Sequence, residues 1–253
     1  MPVSSLPVQN RFDTPARRGP EPTTAPGSAT LMRRYELRYL TPDHQSAQKA
    51  VVAPATPLFE AAFSAFARGT VLKTTQGPCP IEDLDPGIKV ETAEHGPLPV
   101  LWRGAINILP NMPADHARDQ HLTRIMAGAF GPLRPETDIM LGPAAQMLRP
   151  NTASPGHRLQ PVTDLTNGDS VFQTTPPSVV QVFHICLPQQ ASINANGLQF
   201  ASYHPGTALR GRLGPNMAQL FLSLFPHLTD FAEFGAPLRD GSERVHKADL
   251  DWV

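Results

Sequence analysis

Twenty-nine prolines are spread through the 253 residues of this chain, about twice the usual share of roughly 5%. Proline lacks the backbone donor that a helix interior needs and its ring clashes with the preceding turn. Long helices are therefore excluded, and the chain is expected to be built of turns and short strands. Hydrophobic residues make up 40% of the sequence, enough for a real core. The 18 glycines are an ordinary number, so the punctuation comes mainly from proline.

The segments between these breaks agree with that expectation. "TVLKT" precedes the turn "QGPCP", "IEDL" precedes "DPG", and "IKVET" alternates before "HGP". "VLWRGAINIL", "TDIMLG", "DSVFQTT" and "SVVQVFHICLP" continue the run of short apolar strands. "SINANGLQFASY" places two strands either side of Asn196-Gly197, a strong hairpin signal. Helical spacing is confined to the flanks. Thr56-Pro57 is a cap followed by proline at the first helical position, which predicts a short buried helix over Pro54 to Phe66 with Leu58, Ala61, Ala62 and Ala65 on one face. Met217, Leu220, Phe221 and Leu224 predict a C-terminal amphipathic helix. "YELRYL" before these reads as a short strand.

Four regions follow. Residues 1–30, rich in Pro, Ser, Thr and Gly, are expected to be a disordered arm. Residues 31–67 are a strand and helix leading into the main domain. Residues 68–239 are an all-β domain closed by the C-terminal helix, and 240–253 are a polar tail.

The charges nearly cancel, 21 Lys and Arg against 22 Asp and Glu. Nothing in that balance calls for nucleic acid or an anionic membrane, and Arg17-Arg18 and Arg33-Arg34 read as solvated surface. The first residues lack the apolar stretch of a secretory signal, and no segment reaches the ~18 apolar residues of a membrane span. A soluble cytoplasmic protein is the expectation. Cys79 and Cys186 allow one disulfide at most and form no metal-binding spacing. Cys79 reads as a turn residue and Cys186 as a buried strand residue.

Several of these segments, in order, resemble the bacterial Hint (hedgehog/intein) domains. Those domains open with Cys-Phe-x-x-Gly-Thr, followed by a strand, a glycine turn and an "EDL-x-PG" segment. Here the corresponding stretches are "AFARGT" (65–70), "PIEDLDPG" (80–87) and "HGPLPVLWRG" (95–104). "MAGAFG" (126–131), "DIMLGPAAQML" (138–148) and "VVQVFHICLPQQASINANGLQFASYHPG" (179–206) resemble later family segments. The similarity runs from about Pro54 to Phe234. It implies the all-β, horseshoe-like Hint fold of short strands with short flanking helices.

The resemblance also implies a chemistry, an acyl shift in which a thiol at the first domain residue attacks the preceding carbonyl. That needs a thiolate-forming nucleophile, a Ser/Thr-x-x-His block whose imidazole protonates the leaving amide nitrogen, and a polar residue, often histidine, in the closing block. At these three positions the chain has Ala65, Ala145 (in Gly142-Pro143-Ala144-Ala145) and Gln190. A methyl group cannot attack, and a methyl or an amide cannot donate a proton at neutral pH. The expectation is a catalytically inactive domain that acts as a binding or structural module, with a protein partner possible and no cofactor.

Two alternatives stay open. Ser64 could replace the missing nucleophile in a self-cleaving chain. Asp115, His116, Asp119 and His121 in "DHARDQH" could form a metal hydrolase site around Asp115, His116 and His121, although histidines five apart splay on a helix. His184 reads as a core or edge histidine and the best surviving acid–base candidate, His204 as a turn residue holding a backbone group. Trp102 and the phenylalanines of "LFLSLF" read as core.

Overall fold

Sixteen short strands, all paired antiparallel, carry the fold in a computed structural model whose described residues are 31–110, 121–150 and 157–238. They are β1 (Met32–Leu40), β2 (Ser46–Pro54), β3 (Phe66–Ala67), β4 (Val71–Thr74), β5 (Gly77–Pro80), β6 (Lys89–Thr92), β7 (Gly96–Pro99) and β8 (Trp102–Ile108). β9 (Leu122–Ile125), β10 (Ile139–Leu141), β11 (Gln146–Pro150), β12 (His157–Pro161), β13 (Val171–Thr174), β14 (Val180–Cys186), β15 (Ser192–Ala195) and β16 (Leu198–Ala201) complete them. The helices are short: α1 (Pro57–Glu60), α2 (Leu209–Arg212) and α3 (Pro215–Leu222). No helix among the described residues is long and apolar enough to cross a membrane.

One sheet has the order β13-β9-β10-β3-β14-β8-β1-β2 and the other β12-β11-β16-β15-β4-β6-β7, with β5 on β4. The two-residue period of the strands divides the core. On β14, Phe183 and Ile185 face one cluster while Val182 and Cys186 face another. The first cluster joins the two sheets through residues such as Phe66, Leu72, Ile139, Met147, Ile193 and Phe200. The second lies on the other face of the first sheet, where Tyr35, Phe63 and Trp102 meet Phe221, Phe225 and Phe234. Trp102 donates from Nε1 to the Leu224 carbonyl at 2.8 Å, and its ring lies 4.7 Å from that of Phe225. Trp102 and the phenylalanines of the C-terminal segment are thus core, as read from sequence.

Several elements differ from the sequence reading, among them the expected turn "QGPCP", whose Gly77–Pro80 pair with β4 as β5 and place Cys79 on a strand. The helix read over 54–66 spans only Pro57–Glu60; Thr56 occupies the cap with extended backbone, but its side chain makes no capping bond. Residues from Ala65 on are drawn into sheet pairing instead: Ala65 N–H donates to the Phe183 carbonyl, and Phe66 pairs with both Phe183 and Leu141. Of the expected face Ala62 and Ala65 are fully buried while Leu58 and Ala61 are only partly so, and Phe59 and Phe63 supply the rest of the buried surface. Within "IEDL", Ile81–Asp83 form a 3-10 turn and not a strand. Strand β2 was not anticipated, because of its nine residues only Ala53 is buried. It pairs with β1 along their whole length, and β1 pairs with β8, so this hairpin extends the first sheet.

Arg33 also departs from the solvated reading. Its Nε lies 2.9 Å from a Glu60 carboxylate oxygen, and the side chain is 11% exposed.

Candidate functional site

The peptide between Ser64 and Ala65 lies where α1 gives way to β3, and three backbone bonds fix it. Ala144 N–H donates to the Ser64 carbonyl at 3.0 Å, Gly142 N–H to the Ala65 carbonyl at 2.8 Å, and Ala65 N–H to the Phe183 carbonyl at 3.0 Å. The donors at 142 and 144 come from the turn between β10 and β11, which Ala145 N–H closes on the Gly142 carbonyl. This turn lies against the peptide so closely that only glycine fits at its start. A Cβ at residue 142 would sit 2.1 Å from the Ser64 carbonyl oxygen and 2.7 Å from its carbon. Residues 64–65 and 142–145, far apart in sequence, are thus brought together.

The side chains of Ala65 and Ala145 carry no reactive group. Ala65 is fully buried and Ala145 is 1% exposed, both within the cluster between the sheets. A carbonyl held by a backbone N–H is the arrangement an oxyanion requires, yet no group at either alanine can attack it or supply a proton. Ser64, 2% exposed, belongs to the acyl side of the held peptide. To act as the first-residue nucleophile it would have to attack the preceding Phe63 carbonyl, one peptide upstream of the amide that Ala144 grips.

Gln190 is engaged elsewhere. Its Nε2 donates to the Ser202 carbonyl at 3.1 Å, and its Oε1 accepts from Leu238 N–H at 2.9 Å. Its own N–H donates to the Ala236 carbonyl, so the residue ties the chain around 236–238 to the start of β15.

His184 is buried with its ring edge-on to Phe66 and Tyr203, and its Nδ1 accepts from Ile185 N–H at 3.1 Å. Burial without a charged partner lowers its pKa to about 3, so the imidazole is neutral at physiological pH. His204 holds backbone groups, as its sequence context suggested: Gly206 N–H donates to Nδ1, and Nε2 lies 3.2 Å from the Gly235 carbonyl. Cys79 lies in β5, where burial and the nearby Asp83 carboxylate raise its pKa, and the buried Cys186 is raised by desolvation. Both are free thiols kept away from the reactive thiolate form.

Asp115, His116 and Asp119 lie outside the described residues. His121 is described, with Nδ1 3.1 Å from the Thr175 hydroxyl. No group of three metal-ligating side chains forms among the described residues. A feature absent from the sequence reading is Arg103, buried on β8, which donates from Nη1 to the Ile81 and Glu82 carbonyls. The sequence signal was an arginine inside the apolar run "VLWRGAINIL".

Two antiparallel sheets of short strands around a gripped turn-to-strand peptide agree with the family that the sequence motifs suggested. The Hint domain family model matches residues 64–207. That is more than half of the chain, and the chain belongs to the Hint domain family. Among solved structures, the chain is similar to the bacterial intein-like domain from Clostridium thermocellum, with 13% identity, a TM-score of 0.40, and coverage of 55% of this chain and 99% of that one. It is likewise similar to the TvoVMA intein, with 11% identity, a TM-score of 0.40, and coverage of 55% and 96%. No curated protein matches the chain.

Proposed function

We propose that this Hint domain does not process itself and serves as a binding or structural module. One observation carries the reading: the Ser64–Ala65 peptide is fully hydrogen-bonded to backbone, while the two residues facing the chemistry, Ala65 and Ala145, are buried methyl groups. An amide is resonance-stabilised, and splitting it needs a nucleophile and an acid together. General acid–base assistance alone is worth roughly 10²–10⁴ in rate, and without a nucleophile there is no covalent step for it to assist. The neutral His184 is a poor acid near pH 7, and no hydrogen bond links its ring to Ser64 among the described residues.

Intact-mass analysis of the full chain, with and without hydroxylamine or thiol, tests this. The expected result is a single species of the full mass under all conditions. A fragment beginning at Ser64 or Ala65 would sink the proposal, and its loss in Ser64→Ala would assign the serine. The double substitution Ala65→Cys with Ala145→His asks whether the backbone still presents the peptide productively; recovery of cleavage is expected from the Ala144 bond to the Ser64 carbonyl.

A further inference from the structure

The face of the first sheet that packs against the second sheet at β3 and β14 lies open farther along, at β1 and β2, with the buried Arg103 and Ala105 of β8 at its margin. Cross-strand register fixes what the open part displays, since directly paired residues point to the same side. Ala50, Glu36, Ala105 and Phe183 form one row, and Gln48, Arg38 and Arg103 the next. With Arg34 on β1 and Arg68 after β3, these residues line a cleft of about 540 Å³. Small-molecule sites span roughly 300–1,000 Å³.

The charge in this cleft is unusual. Arg38 and Arg103 stand directly opposite each other on β1 and β8. Like charges so placed destabilise a sheet, and Arg38, after burial, is a cause of the lowered pKa of Arg103. Protein groups relieve this incompletely. Asp85 pairs with Arg38, and Arg103 uses only Nη1 for its two carbonyl bonds, with no partner for Nε or Nη2 among the described residues. Arg34 and Arg68 reach their glutamates, Glu36 and Glu82, only at 3.7 Å, with side chains 70% and 63% exposed. Four arginines thus face the cleft against Glu36, Glu82 and the Asp85 bound to Arg38, in a chain of net charge −1. The floor beneath them is Ala105 and the Phe183 ring, both almost fully buried, with the Arg103 guanidinium 5.6 Å from the ring centroid.

We propose that this cleft, formed where the β1–β2 hairpin meets the Hint strands, binds a small organic anion through its phosphate or carboxylate group, held by the arginines. Guanidinium forks match both oxyanions. The hairpin lies outside residues 64–207, so its side of the cleft is an addition to the matched domain, which supplies Arg68, Glu82 and Arg103. The proposal rests on the binding role above and gives it a ligand class.

Calorimetric titration of the full chain with phenyl phosphate, benzoate and benzyltrimethylammonium at about 150 mM salt tests it. Saturable binding of phenyl phosphate, benzoate or both is expected, and none of the cation. Which anion binds tells whether a phosphate ester or a carboxylate is the native group. The double variant Arg34→Gln, Arg68→Gln should weaken that binding at least about tenfold with an unchanged melting temperature. Lys73→Gln, which removes a charge on β4 outside the cleft, should leave it unchanged. Failure of both anions to saturate, or equal weakening by the Lys73 variant, overturns the proposal. Either result leaves the mass-analysis test of self-cleavage untouched, so the two readings fail separately.

Discussion

Gly142 shows how tightly a single residue can be constrained by close packing against backbone. A methyl there would collide with the Ser64 carbonyl, which is backbone and cannot swing away. Gly142→Ala is expected to destabilise by about 1–3 kcal/mol, the usual cost of overpacking. Gly211, on α2 with open space around its Cβ position, is the control: Gly211→Ala should stabilise by about 0.4–1 kcal/mol. Urea denaturation of both variants measures the difference.

His184 gives the second residue-scale prediction. Its folded pKa of about 3 lies below the ordinary value of 6.5, so the unfolded chain takes up a proton that the folded chain refuses. Its contribution is therefore fully present above pH 6.5 and is lost as pH falls toward 3, at up to about 1.4 kcal/mol per pH unit. His227, lowered to about 4 by burial, acts in the same direction. Stability measured by urea midpoint should decline between pH 6.5 and 4.5, and His184→Phe should flatten the decline by close to one proton. An unchanged slope in that variant would show that the histidine titrates normally.

At the scale of elements, the turn between β15 and β16 was legible because it is local. Asn196 and Gly197 take φ of 49° and 81°, the positive values that a two-residue hairpin requires. A Cβ on Gly197 would also approach the Leu133 carbonyl oxygen to 2.9 Å. Gly197→Ala should cost about 1–2 kcal/mol, read as a lower urea midpoint. β8 and β14 were equally legible, since both are apolar runs buried on two faces. β2 was not, because its exposed "SAQKAVVAP" carries no apolar alternation and becomes a strand through its pairing with β1. α1 was overextended for the same physical reason: Ala65 and Phe66 have partners on neighbouring strands that local helical preference cannot reveal. The alanines of the candidate site could be located through motif order alone, but the engagement of Gln190 with 236–238 joins segments that no sequence spacing connects. The Arg38–Arg103 pairing escaped notice because register, not composition, creates it.

For the whole molecule, the matched family region ends at Thr207 while the second core cluster is completed by residues after it. Phe221, Leu224 and Phe225 are fully buried and Phe234 nearly so. Burying each such side chain contributes about 1.5–3 kcal/mol, against a typical total stability of about 5–15 kcal/mol. A chain ending at Thr207 is therefore expected to lose its cooperative thermal transition and to bind hydrophobic dyes. A sharp transition at the full-length temperature would show that the first cluster suffices.

The indole of Trp102 is positioned to report that event by itself. The chain has two tryptophans, and the other, Trp252, lies outside the described residues. Because the Trp102 Nε1 proton is given to the Leu224 carbonyl, lifting the last helical segment off the sheet would hydrate that ring before the strands separate. With Trp252→Phe, a red shift in emission that precedes the loss of β-sheet dichroism would reveal a molecule that opens like a hinged cover.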